Sequence, residues 1–184
     1  FMLFGVAEDH DSNPIKIGLG KLKEAGAKVV GVNPVRTGYN AVASEWVGIT
    51  PGTDGLLVMA LIRELLRAGK VDLAYLIERT NAPWLVIEEP GAADHGLFAR
   101  GEDGRPLVSD RRDGALRPWD DPDARPALRG RIEAAGRPCR PVFELMAERY
   151  LSDAYAPEAV AERCGVPAAT IRRLAAELAY AAFE

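Results

Sequence analysis

The chain has 184 residues, 48% of them apolar, enough for one sizeable domain or a domain with an appendage around a real core. A net charge of −4 gives no electrostatic reason to expect nucleic-acid binding, and no apolar stretch reaches the roughly 20 residues of a membrane span. Two cysteines, Cys139 and Cys164, form no metal-binding spacing, and they suggest no disulfide framework.

The chain opens on "FMLFGV", with no charged stretch ahead of an apolar one, so no signal peptide is read. It stops inside a helical pattern, "LAAELAYAAFE", with no cap. Natural chains usually begin and end in solvated segments, so a piece cut from a longer polypeptide is expected.

Residues 2–6 fit a short buried strand. A polar loop, "AEDHDSN", follows, and Pro14 stands where a first helical position belongs, with Asn13 or Ser12 as N-cap. The helix runs to about Ala25, with Ile15, Leu19 and Leu22 on one face, and Gly26 ends it. "KVVGV" (28–32) is a second strand, so the first 33 residues have the length of a parallel β–α–β crossover. After the turn "NPVRTGYN", a short helix over Ala41–Glu45 leads to a third strand, "WVGIT". The helix after Asp54 is apolar nearly all round, broken only by Arg63, Glu64 and Arg67, and should be well buried. "VDLAYLIERT" makes another short helix and "PWLVIE" a fourth strand.

Composition changes at Pro90. Residues 90–141 hold seven of the thirteen prolines and seven glycines, which marks an irregular surface excursion with hairpin-like pieces such as "FARGEDGRPLV". Helix returns in "VFELMAERYL", "PEAVAERCG" and "ATIRRLAAELAYAAF". The expected fold is α/β: a parallel-sheet, Rossmann-like three-layer domain with a Pro/Gly-rich insertion and C-terminal helices. Its parts are a nucleotide-binding core over 1–89, the insertion over 90–141 and a helical segment over 142–184 that packs on the same domain.

Parallel α/β sheets bind ligands at the carboxyl ends of their strands, and three expected strands end in polar loops. The first loop feeds a helix N-terminus able to hold a phosphate, and its run Glu8, Asp9, His10, Asp11 also reads as a metal site. Consecutive loop residues rarely converge on one ion, so ligand contact at helix entry is the preferred reading. The second loop, Asn33-Pro34-Val35-Arg36, sits where dinucleotide folds contact a ribose. Asn33 can donate and accept, and Arg36 is a fork suited to phosphate. The same residues also read as a plain turn and a solvated charge. In the third loop, Gly52-Thr53-Asp54, a carboxylate can accept together from the ring N–H and exocyclic NH2 of guanine, while Gly52 lets the backbone approach a base. The competing reading makes Thr53 or Asp54 a helix cap.

In order, "FGVAEDHDSNP", "GAKVVGVNPVRT" and "ASEWVGITPGTDGLLVMAL" resemble the molybdopterin oxidoreductases of the dimethyl sulfoxide reductase family. That family includes formate dehydrogenases, periplasmic nitrate reductases and thiosulfate or polysulfide reductases. Its α/β domain carries an Asn/Asp/His-rich loop before Pro, a D/N-P-x-R-T turn and a P-G-[TS]-D turn. The tail "YAPEAVAERCGVPAATIRRLAAELA" is similar to a further family segment. The resemblance covers about residues 2–89 and 142–183; each motif alone is weak, and four in the right order are specific.

The resemblance implies a site for the guanosine diphosphate end of molybdopterin guanine dinucleotide. Val6, Ala7, Glu8, Asp9, His10, Asp11 and Ser12 would line phosphate and sugar. Asn33, Pro34, Val35 and Arg36 would approach ribose and base, and Gly52, Thr53 and Asp54 would approach the guanine. Many relatives have Asp where Asn33 stands, and an amide can still bond a ribose. The family's iron–sulfur cysteines and molybdenum ligand have no match here, so a 4Fe-4S cluster and the reacting centre are expected elsewhere in the full protein. The segment alone is expected to be inactive. Implied partners are the remaining domains of the oxidoreductase and an iron–sulfur electron-transfer subunit, with no nucleic acid. Two other readings stay open. "PEAVAERCGVPAATIRRLAAEL" has the form of a helix-turn-helix DNA-binding module, with Arg172 and Arg173 exposed. A non-enzymatic nucleotide-binding protein could share the same α/β half. Trp46, Trp84 and Trp119 read as packing residues, and His95 has no assigned role.

Overall fold

A computed structural model describes residues 1–5, 14–36 and 38–184. In chain order the elements are β1 (Met2–Phe4), α1 (Pro14–Glu24), β2 (Val30–Val32), α2 (Tyr39–Val42) and β3 (Glu45–Val47). Then come α3 (Asp54–Arg67), α4 (Leu73–Arg79), β4 (Leu85–Ile87), β5 (Leu107–Ser109), β6 (Leu116–Pro118), β7 (Ile132–Ala134) and β8 (Arg137–Pro141). Helices α5 (Val142–Tyr150), α6 (Pro157–Cys164) and α7 (Ala168–Phe183) complete the chain, with a 3-10 turn at Asp153–Tyr155. These elements form two compact units, Phe1–Ala68 with Ser152–Glu184, and Gly69–Leu151.

The first unit is mixed α/β around a three-stranded parallel sheet in the order β1-β2-β3. Leu3 pairs with Gly31 and Gly31 with Trp46, while Phe4, Val32 and Val47 stand in the next register row. Successive strand residues point to opposite faces, and both faces of this sheet carry helices. On one face Val30, Val32, Val47 and Ile49 pack against Leu57, Ala60 and Leu61 of α3, Val160 of α6, and Ile171 and Leu174 of α7. On the other, Leu3 and Val29 pack with Leu19 of α1 and with Tyr39. Gly31 has no side chain because Asn40 fills that space: a Cβ there would lie 2.2 Å from the Asn40 Oδ1.

Helix α3 shows why this sequence chooses helix. Leu57, Ala60 and Leu61 recur at i, i+3 and i+4 and are almost fully buried, each large side chain contributing about 2 kcal/mol. Asp54 in the first turn and Arg67 in the last complement the helix dipole, and Gly69, at φ 65°, follows the end. Arg63, one of the charged breaks in the apolar pattern, is itself buried and paired with Glu64 and Asp153. Helix α2 begins two residues earlier than expected, since Glu45 already belongs to β3, where its N–H donates to the Val29 carbonyl. The Glu45 carboxylate meets Lys28 Nζ at 2.8 Å and also pairs with Arg173 of α7.

The second unit contains the expected fourth strand, but β4 does not extend the parallel sheet. It pairs antiparallel with β8, which pairs antiparallel with β7. β7 and β8 form a tight hairpin, and Arg140 of β8 reaches Glu88 beside β4 to hold this pairing. Strands β5 and β6 form a second antiparallel pair. The loop between them and the segment after β6 close on Asp110, which is fully buried. Its carboxylate accepts from the Arg112 side chain and from the backbone N–H groups of Arg112 and Arg125. Arg112 beside it holds this carboxyl far below the usual range, so it stays ionised.

Candidate functional site

Parallel pairing puts the carboxyl ends of β1, β2 and β3 on one rim, which is where the three polar loops were expected to meet. The first loop lies outside the described residues. Val6, Ala7, Glu8, Asp9, His10, Asp11 and Ser12 therefore carry no geometry, and neither does the metal reading of Glu8–Asp11. Among the described residues, no group of three or more His, Cys, Asp or Glu could hold a metal ion.

The second loop leaves β2 through Asn33, which is 6% exposed. Its N–H donates to the Val47 carbonyl, and its Oδ1 accepts from the Val35 N–H at 3.2 Å. That side chain–backbone bond is an Asx turn, the reason an Asn suits the position before Pro34. The turn carries Pro34, Val35 and Arg36 outward, and all three are exposed. Among the described residues the Arg36 guanidinium has no hydrogen-bond or ion-pair partner.

The third loop is a type II β-turn. The Thr53 N–H donates to the Thr50 carbonyl at 3.2 Å, Pro51 takes the second position, and Gly52 takes the third at φ 80°. A Cβ on Gly52 would meet nothing within 4 Å, so its Cα faces open space. Thr53 occupies the N-cap position of α3, but its hydroxyl donates back to the Thr50 carbonyl at 2.7 Å and makes no cap bond. Asp54 is the first helical residue, half-buried, and its carboxylate has no partner among the described residues. The cap reading of Thr53 and Asp54 thus reduces to a dipole effect for Asp54.

Two supports were not visible to sequence reasoning. The Thr50 N–H donates to the Cys164 carbonyl at 2.9 Å, so the end of α6 anchors the third turn. Gly165 follows at φ 76°, and a Cβ there would lie 3.3 Å from the Thr50 hydroxyl. The other support is Trp46, whose indole N–H donates to the Asn33 carbonyl at 3.0 Å. The residue that could have signalled it is Gly48, two residues on and without a side chain.

The helix-turn-helix reading finds its two helices, α6 and α7, around Gly165 in the left-handed region. Its arginines are engaged elsewhere. Arg172 pairs with Glu158 at 2.6 Å, and Arg173 pairs with Glu177 at 2.7 Å and with Glu45. The face carrying Ile171, Leu174 and Ala175 is buried against the sheet and α3. The pair is therefore a packed helical corner rather than a phosphate-facing module. Trp84 packs edge-on to Phe98 and tilted to Trp119, as packing residues do, and His95 is exposed. Cys139 and Cys164 are free and buried, and burial pushes the Cys139 thiol up, away from reactivity.

No family model matches the chain. Over 97% of its length it is 45% identical to a sulfite dehydrogenase subunit of Allochromatium vinosum, of which it covers 19%. The perchlorate reductase alpha subunit of Dechloromonas aromatica is 25% identical over 85% of the chain, which covers 21% of that protein. The chain thus spans about a fifth of the length of these curated relatives. Among solved structures, acetylene hydratase from Pelobacter acetylenicus matches 95% of this chain and 16% of its own with a TM-score of 0.54. At 17% identity that likeness speaks for the fold alone.

Proposed function

For this chain, which belongs to the dimethyl sulfoxide reductase family of molybdopterin oxidoreductases, we propose a role as the grip on the nucleotide end of the cofactor. The first unit would act as a Rossmann-like three-layer domain, holding the guanosine diphosphate end of molybdopterin guanine dinucleotide at the rim of its parallel sheet. The observation that carries this reading is the rim itself. Adjacent parallel strands end in two turns that present an exposed guanidinium, Arg36, and a carboxylate, Asp54, that is unpaired among the described residues.

The donor set fits such a ligand. Asp54 offers two acceptor oxygens, matching the adjacent ring N–H and amino group of guanine, a donor pair adenine lacks. Gly52 leaves the open space a planar base needs. Arg36 can meet a phosphate or a ribose oxygen, and Pro34 and Val35 hold it outward. The Asn33 amide is engaged with Val35, so its part is to shape the turn that carries Arg36. Val6 to Ser12, leading into α1, would complete the phosphate contacts.

Bound in this way, the cofactor would supply molybdenum for two-electron chemistry on a small substrate. The metal ligand, the 4Fe-4S cluster and the reacting centre belong to the remaining domains of the whole protein, and its electron partner would be an iron–sulfur protein. The test is Asp54→Asn in the complete protein, read as guanine nucleotide released on acid denaturation and as molybdenum content. A hydrogen bond to a charged group is worth about 1.5–3 kcal/mol, so occupancy should fall by about tenfold or more at limiting cofactor. Unchanged loading would leave Asp54 with its helix-dipole role alone.

A further inference from the structure

We propose that Trp46 is a positioning residue that sets the separation of the Asn33–Arg36 and Gly52–Asp54 turns, and through it the discrimination between purine bases; this rests on the nucleotide-rim reading. One side chain holds the roots of both turns. Its indole N–H donates to the main-chain carbonyl of Asn33, where the second turn leaves β2. Its six-membered ring lies over Gly48, where the chain runs from β3 into the third turn: a Cβ on Gly48 would sit 3.0 Å from its Cη2 and 3.1 Å from its Cζ2.

Packing alone does not account for this tryptophan. Its register neighbour on β2 is Gly31, which offers no side chain, and among the described residues it joins neither apolar cluster of the first unit. It keeps 37% of its surface exposed. A core tryptophan would be buried with a partner for its N–H taken wherever one was offered. Here the partner is the carbonyl that starts a candidate ligand loop, and the ring is laid on a residue without a side chain. The result is a brace between two turns that, among the described residues, backbone bonds outside the strand ladder otherwise tie together through the Asn33 N–H to Val47 carbonyl contact. A carboxylate reads two donors on one base edge only if it is held to within a few tenths of an ångström, which is what such a brace provides.

The test uses the complete protein prepared without cofactor, with guanosine diphosphate and inosine diphosphate as calorimetric probes. Inosine diphosphate lacks the exocyclic amino group, so the affinity ratio of the two reports base reading rather than folding. Trp46→Phe keeps an aromatic side chain but removes both the N–H and the outer ring that lies over Gly48. It should weaken guanosine diphosphate binding about five- to tenfold and move the ratio toward unity, with the melting temperature nearly kept. Gly48→Ala leaves the N–H intact but lifts the ring, and should lower the ratio in the same direction; it decides the matter if Trp46→Phe does not fold. A wild-type ratio in both variants, with Asp54→Asn losing it, would overturn the brace and leave the rim reading standing. A wild-type protein that binds the two diphosphates equally would overturn both.

Discussion

At the scale of single residues, conformational strain separates positions that serve a turn from positions that tolerate one. Gly52 needs its glycine because a type II turn puts its third residue at positive φ, and open space beside it makes the backbone the only constraint. Ala135 is the contrasting case. It is the one described non-glycine residue with positive φ, at 51°, and with Gly136 at 74° it closes the two-residue β7–β8 hairpin. Both central residues of such a loop need positive φ, where Asn is far better than Ala. Ala135→Asn should therefore stabilise the protein by about 0.5–1 kcal/mol, seen as a higher denaturant midpoint at unchanged slope. The sequence gives no hint of strain at Ala135, because the register of β7 on β8 decides which residues fall at the turn.

At the scale of elements, the join between α7 and the sheet is both apolar and ionic. Ile171 and Leu174 bury against the sheet, while Lys28 and Arg173 surround Glu45 and Glu177. Arg173 pulls the Glu45 carboxyl below its ordinary range, and Lys28 does the same for Glu177. Groups with depressed values contribute stability that is fully present above the ordinary glutamate value of about 4.3 and is lost as pH falls below it. The melting temperature should be flat from neutral pH down to about 5 and fall below that, with a shallower fall in Glu45→Gln. The four side chains are partly exposed, so the effect is modest and should shrink in high salt. The helical spacing of Ile171, Leu174, Ala175 and Leu178 makes a buried stripe of α7 readable along the chain. The ion-pair partners are not, since Lys28, Glu45 and Glu177 are far apart in sequence.

At the scale of the whole molecule, net charge and local pairing point the same way. The chain is acidic, at −4, and the arginines of the α6–α7 corner face carboxylates. Mixed duplex DNA at low salt should show no tight, steeply salt-dependent binding by fluorescence anisotropy; such binding would restore the helix-turn-helix reading. No helix among the described residues is long and apolar enough to cross a membrane.

Local features were legible along the chain without its structure: β–α–β at the start, the long α3, the turn chemistry of "NPVR" and "PGTD", and the order of motifs that marks the family. Those features depend on short-range periodicity and on residues such as Pro and Gly, whose preferences act within a few positions. Tertiary structure alone decided that β4 joins β8 instead of the parallel sheet, that Asn40 fills the space above Gly31, and that Trp46 reaches the Asn33 carbonyl. Each of these joins residues whose meeting depends on strand register and helix packing, and no pattern along the chain encodes a partner that only folding brings within reach.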